Sequence, residues 1–140
     1  RRLDLPVVAN LWKTEAVPTL VFTQVNADGS TAKALRQQGV EVVELESLTP
    51  KNVMANLYDR GLMSVLWECG GTLAAGAIAD GSVQKLWAFI APKLIGGASA
   101  PSPLGDLGLE KMTEAIALED MQITQIEQDF LLQGYLTSFI

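Results

Sequence analysis

Apolar and polar positions along the 140-residue chain fall into short blocks separated by turn residues. "PTLVFT" (18–23) is a β-branched and aromatic run behind Pro18, and predicts a buried strand. "NADGS" (26–30) is a turn cluster. "TAKALRQQ" (31–38) predicts a helix, with Ser30 as N-cap and Gly39 as its stop. "VEVVEL" (40–45) predicts the next strand. "TPKNVMANLYDRG" (49–61) predicts a helix capped by Thr49, opened by Pro50 and ended by Gly61. "LMSVLWE" (62–68) predicts a third strand, and "GTLAAGAIAD" (71–80) a third helix closed by Gly81. Strands alternating with helices in this way imply a parallel, three-layer α/β arrangement with right-handed crossovers.

The rhythm then changes. "SVQKLWAFIAPKLIG" (82–96) is long, apolar and strand-like, and "GGASAPSPLGDLG" (96–108) is a Gly/Pro/Ser loop of a length often tied to function. "MQITQIEQD" (121–129) and "FLLQGYLT" (130–137) predict two antiparallel strands joined by a tight reversal, with Asp129 at the turn. The fold class expected is therefore a mixed α/β sheet: parallel strands with crossover helices, followed by C-terminal antiparallel strands.

Composition narrows the function. The chain is 49% hydrophobic and 19% charged, enough for a packed core in a single domain. Asp and Glu number 16 against 10 Lys and Arg, a net charge of −6, and the basic residues are scattered, so no nucleic-acid face is expected. No apolar run reaches the length of a membrane span, so no membrane partner is expected. His is absent, which excludes Ser-His-Asp and Cys-His catalysis within these residues and any imidazole-built metal site. The single cysteine, Cys69, cannot pair internally and fits a reducing, cytoplasmic setting.

The stretch "WECGGTLAAGAIADG" (67–81) carries the candidate chemistry. Ligands of open α/β sheets bind at the carboxyl ends of strands, where Glu68-Cys69-Gly70-Gly71-Thr72 falls. Gly70 and Gly71 let backbone approach a ligand, and the N–H groups of Gly71, Thr72 and Leu73 are expected to be unpaired at the helix start, facing a phosphate. Ala74, Ala75 and Gly76 keep the helix slim. Glu68 is repelled by a phosphate and suits ligand hydroxyl or amino groups beside it. A plain tight turn explains the same glycines, and the pattern is neither GxGxxG nor a P-loop. Cys69 reads as a small turn residue, and Trp67 and Trp87 as core or pocket wall.

"MSVLWECGGTLAAGAI", followed by "VQKLWAFIAPKLIGGASAPSPLGDLGLEKM" and preceded by "RRLDLP…ANLW…PTLVFT", resembles the C-terminal reductase domain of the bifunctional riboflavin-biosynthesis deaminase/reductase, along essentially the whole chain. The resemblance implies a dihydrofolate-reductase-like fold. It also implies NADPH-dependent conversion of the ribosyl group of 5-amino-6-(5-phosphoribosylamino)uracil to ribityl. By position, Glu68 would contact substrate, Gly70, Gly71, Thr72, Leu73, Ala74, Ala75 and Gly76 would line the NADPH phosphates, and Thr23 would approach the adenosine end. No proton donor and no metal ligand are assigned.

Cys69 stands where Gly or Ala is usual in that family. A strand-rich N-terminal part of that domain, and the upstream deaminase, are expected to lie outside these residues, so the chain by itself is expected to hold part of a reductase site. A homodimer is the expected assembly. The alternative is a non-catalytic nucleotide-binding or interaction domain of the same fold.

Overall fold

The computed structural model describes residues 3, 6, 8–15, 17–27, 29–97 and 99–137. Internal contacts divide the chain into two compact units, Arg1–Gly61 and Leu62–Ile140.

The first unit holds β1 (Leu20–Gln24), α1 (Gly29–Gln37), β2 (Glu41–Leu45) and α2 (Pro50–Asp59). β1 and β2 pair in parallel, from Leu20 opposite Glu41 to Gln24 opposite Leu45. The crossover helix α1 presents Ala32 and Leu35, three residues apart and so on one face, to a core formed with Leu3, Trp12, Val40 and Val42. The Trp12 indole N–H donates to the Pro6 carbonyl at 2.7 Å, so burying the ring strands no donor. α1 begins at Gly29, which places Ser30 inside the first turn instead of at the cap. Gly39, at φ +84, turns the chain into β2.

α2 starts as its sequence predicts. The Thr49 hydroxyl accepts from the Asn52 N–H at 3.2 Å, with Pro50 at the first helical position. Beyond its C-terminus, Arg60 donates to Asn56 Oδ1 and to Glu41 Oε1, both at 2.7 Å. Through that hydrogen bond the Arg60 guanidinium holds the Glu41 carboxyl below the usual carboxylate range.

The second unit holds α3 (Gly71–Ala79) and the antiparallel strands β3 (Lys85–Ile90), β4 (Leu118–Ile126) and β5 (Asp129–Leu136), with β5 central. Chain reversal between β4 and β5 uses Glu127, at φ +54, and Gln128. Asp129 is not the turn residue. It opens β5 and pairs with Ile126. A bulge between Glu119 and Gln122 puts Asp120 at φ +50 and lays the Met121 thioether against Gly134 of β5, where a Cβ would collide with it.

Two expected strands are altered. Residues 62–68 form no strand. Their exposure alternates with period two from Ser64 to Gly70, as in a strand, yet among the described residues no ladder partner lies beside them, and an extended segment without one is not a sheet element. The expected strand over 82–96 is confined to Lys85–Ile90. The Lys93 N–H folds back to the Ala91 carbonyl at 2.8 Å around Pro92, which has no N–H to continue a ladder, and Leu94 and Ile95 are left exposed. The parallel sheet therefore has two strands where three were expected, and the mixed α/β class stands. Among the described residues no helix is long and apolar enough to cross a membrane.

Candidate functional site

The candidate stretch lies where residues 62–68 give way to α3. Gly70 is the helix N-cap, extended at φ −72 and ψ 162, with no side chain to cap the turn. Its carbonyl accepts from both the Leu73 and the Ala74 N–H at 3.1 Å. The Leu73 N–H is therefore engaged, contrary to the sequence expectation, because the first turn tightens onto Gly70. The N–H groups of Gly71 and Thr72 have no acceptor among the described residues. Two adjacent donors at the positive end of a nine-residue helix favour an anion.

The glycines divide into two kinds. Among the described residues a Cβ on Gly70 or Gly76 would meet nothing within 4 Å, and neither has a positive φ, so no contact with those residues requires glycine there. A Cβ on Gly71 would meet the Gly105 nitrogen at 3.0 Å and the Ser102 carbonyl oxygen at 3.2 Å. Gly71 is thus closed on one side by the 96–108 loop, a contact its local sequence does not reveal.

Thr72, Leu73 and Gly76 are exposed along one side of the helix, Ala74 is half-buried, and Ala75 is buried. The open strip beside the free N–H groups is therefore Gly70, Thr72, Leu73 and Gly76, and Ala75 contributes by its small size. Glu68 is exposed and has no hydrogen bond or ion pair among the described residues, which leaves its carboxylate available to a ligand. Cys69 is a half-buried free thiol. Among the described residues no group of three or more Cys, Asp and Glu side chains gathers as metal ligands.

Thr23 lies in β1 of the first unit, 3% exposed and opposite Glu44. Its side chain is part of a packed strand, unlike the open strip of α3. Trp87, expected as core or pocket wall, is 54% exposed on the antiparallel sheet with the Lys85 ammonium 5.6 Å from its ring centroid.

The first unit carries a parallel β–α–β unit, and the second carries the acid-then-glycine helix start and the antiparallel C-terminal strands, a mixed α/β class of fold. A family model described as the RibD C-terminal domain matches residues 1–132, and the chain belongs to that family.

It is 51% identical over 136 residues to riboflavin biosynthesis protein RibD of Synechocystis sp., covering 97% of this chain and 37% of that protein. To riboflavin biosynthesis protein PYRR, chloroplastic, of Arabidopsis thaliana it is 52% identical over 134 residues, covering 96% of this chain and 22% of that protein. The chain thus spans well under half the length of these relatives. A 2,5-diamino-6-ribosylamino-4(3H)-pyrimidinone 5′-phosphate reductase of Aquifex aeolicus is 24% identical over 117 residues, 82% of this chain and 52% of that protein. Among solved structures, Acinetobacter baumannii RibD superposes with a TM-score of 0.81 at 24% identity over 98% of this chain and 36% of that one, a likeness of fold.

Proposed function

We propose that the chain is the reductase portion of a riboflavin-biosynthesis enzyme, reducing the ribosyl group of 5-amino-6-(5-phosphoribosylamino)uracil to ribityl with NADPH. The observation that carries this reading is the first turn of α3. Two N–H groups without an acceptor among the described residues, at Gly71 and Thr72, lie in the same helix start as backbone left bare at Gly70 and, one turn on, at Gly76, where no described residue requires glycine. A pyrophosphate fits such a place, because its oxygens accept from the N–H groups and its approach needs an absent Cβ.

NADPH bound there would supply the hydride that reduces C1′ of the open, imine form of the ribosylamine, and water would supply the proton to its nitrogen. The chain's own work is then binding and orientation. The Gly71 and Thr72 N–H groups would hold the pyrophosphate, Gly70 and Gly76 would admit it, Leu73 and the half-buried Ala74 would form the wall beside it, and the buried Ala75 keeps the helix slim. The Glu68 carboxylate accepts from ribose hydroxyls, which fixes the sugar against the nicotinamide without needing a strong acid or base. The partners in this reading are the ribosylaminopyrimidine phosphate, an upstream deaminase and N-terminal reductase segment, and a second copy in a homodimer. A reducing compartment, the cytoplasm, suits the free Cys69 thiol. The plant relative is named as chloroplastic.

The test is pyrimidine-dependent loss of NADPH absorbance with the full-length protein. Turnover supports the reading. Binding of NADPH without turnover favours a non-catalytic nucleotide-binding domain, and absence of both favours an interaction domain. Sedimentation of the same protein tests the homodimer, and a monomer at high concentration contradicts it.

A further inference from the structure

The antiparallel sheet of the second unit has two unlike faces. Side chains opposite one another in a ladder share a face, so the register sorts them. On one face β3 presents Leu86 and Ala88, both half-buried, opposite Gly134 and Leu132 of β5. On the other it presents Lys85, Trp87 and Phe89, all exposed, with Trp87 at 54% and Phe89 at 64%. Two large rings in water at alternate positions of one strand form a face without a cover among the described residues.

That face is ordered in rows, because β5 is the middle strand. The first row is Lys85, Tyr135 and Glu119, and the second is Trp87, Gln133 and Gln122. Phe89, Leu131 and Thr124 make the third. Its two edges therefore differ in kind: a cation and two rings along β3, a carboxylate and two smaller polar side chains along β4. Among the described residues neither the Lys85 ammonium nor the Glu119 carboxylate has an ion-pair partner. The ammonium lies over the Tyr135 and Trp87 rings, 5.1 and 5.6 Å from their centroids.

Such a face complements itself. A two-fold axis along β5 lays β5 of one copy on β5 of the other and β3 on β4, with the rows in step. Lys85 then meets Glu119, Trp87 meets Gln122 and Phe89 meets Thr124, each pairing made twice. Opposite charges face one another, and rings face smaller side chains. The other two-fold arrangement, with the axis across the strands, lays β3 on β3. It sets Lys85 against Phe89 and leaves both charges unpaired, so the charge pattern selects the first. We infer that this outer face of β3, β5 and β4 is where a second copy of the chain docks, sheet on sheet, with Lys85 of each copy paired to Glu119 of the other. This rests on the homodimer named above and is independent of the cofactor.

The test is sedimentation of the full-length protein and its charge variants. The wild type is expected to be a dimer. Lys85→Glu sets two carboxylates against each other and Glu119→Lys two ammonium groups, and each is expected to raise the dimer dissociation constant by about tenfold. The double variant exchanges the charges and should return that constant to within about threefold of the wild type. Within one copy the two residues are separated by β5, about 10 Å apart, so the rescue reads a contact between copies. A double variant no tighter than the single ones overturns the inference.

Trp87→Ser removes a ring from the middle row, keeps both charges and should also weaken the dimer by about tenfold. It decides the matter if a charge variant does not fold. Variants that melt earlier yet remain as dimeric as the wild type would mean that another segment of the full-length chain covers this face, which overturns the inference. A wild-type dimer untouched by every variant contradicts this surface and leaves the homodimer standing, whereas a wild-type monomer overturns both.

Discussion

Gly71 and Gly105 approach so closely that the Gly105 nitrogen lies 3.0 Å from where a Cβ on Gly71 would stand. Gly71→Val therefore acts first on the fold. The branched side chain must push the 102–105 backbone off the start of α3, an overpacking expected to cost about 1–3 kcal/mol. Chemical denaturation of the variant and the wild type measures it. Unchanged stability would mean that the loop yields freely to the added side chain.

Gly76 gives the opposite result. Among the described residues nothing lies within 4 Å of a Cβ there and the position is inside a helix, so Gly76→Ala is expected to stabilise the fold by about 0.5–1 kcal/mol through reduced backbone entropy. If the open strip receives the cofactor, the same methyl weakens NADPH binding severalfold. Thermal melting and an NADPH titration on one sample check both, and a stabilised variant with unaltered NADPH affinity would remove Gly76 from the site.

Glu68→Gln separates substrate from cofactor. Glu68 is exposed and has no partner among the described residues, so stability should not change. Charge-assisted bonds to sugar hydroxyls are worth roughly 1.5–3 kcal/mol each, so turnover of the ribosylaminopyrimidine should fall by about tenfold to a hundredfold. NADPH affinity should stay near its wild-type value. Loss of NADPH binding instead would exchange the roles assigned to Glu68 and the glycines.

The Glu41–Arg60 pair in the first unit sets a small acid sensitivity. The hydrogen bond from Arg60 lowers the Glu41 pKa in the folded state, so the pair contributes stability above the unfolded carboxylate pKa and loses it as pH falls through the lowered native value. Both side chains are solvent-accessible, which keeps the effect small. Melting curves of Glu41→Gln and the wild type should differ slightly at neutral pH and converge in strong acid. A gap that persists in strong acid would mean that the carboxylate charge is not its source.

Local signals in the sequence located the local structure. Thr49, Pro50 and Gly61 bound α2 because capping hydroxyls, N-terminal prolines and glycines at positive φ act within a few residues of themselves. The hydrophobic runs at 18–23 and 40–45 found β1 and β2 for the same reason. What escaped depends on distant partners. Residues 62–68 have a strand's alternation, yet a strand exists only with a neighbour, which composition does not supply. Trp87 looked like core, and its outward face follows from the register with Gln133, set by the whole sheet.

Within the candidate site, the acid and the glycines were legible from the order "ECGGTLAAG". The division between Gly71, closed by Gly105, and the open Gly70 and Gly76 was not, since the loop that makes it lies some thirty residues further along.

Amide hydrogen exchange of the full-length protein, with and without saturating NADPH, tests whether the first turn of α3 receives the cofactor's pyrophosphate. Slowed exchange is expected at Gly71 and Thr72, with no change at Gly29 and Ser30, a glycine-led helix start in the first unit. Exchange at Gly71 and Thr72 that is unaffected by bound NADPH would contradict it.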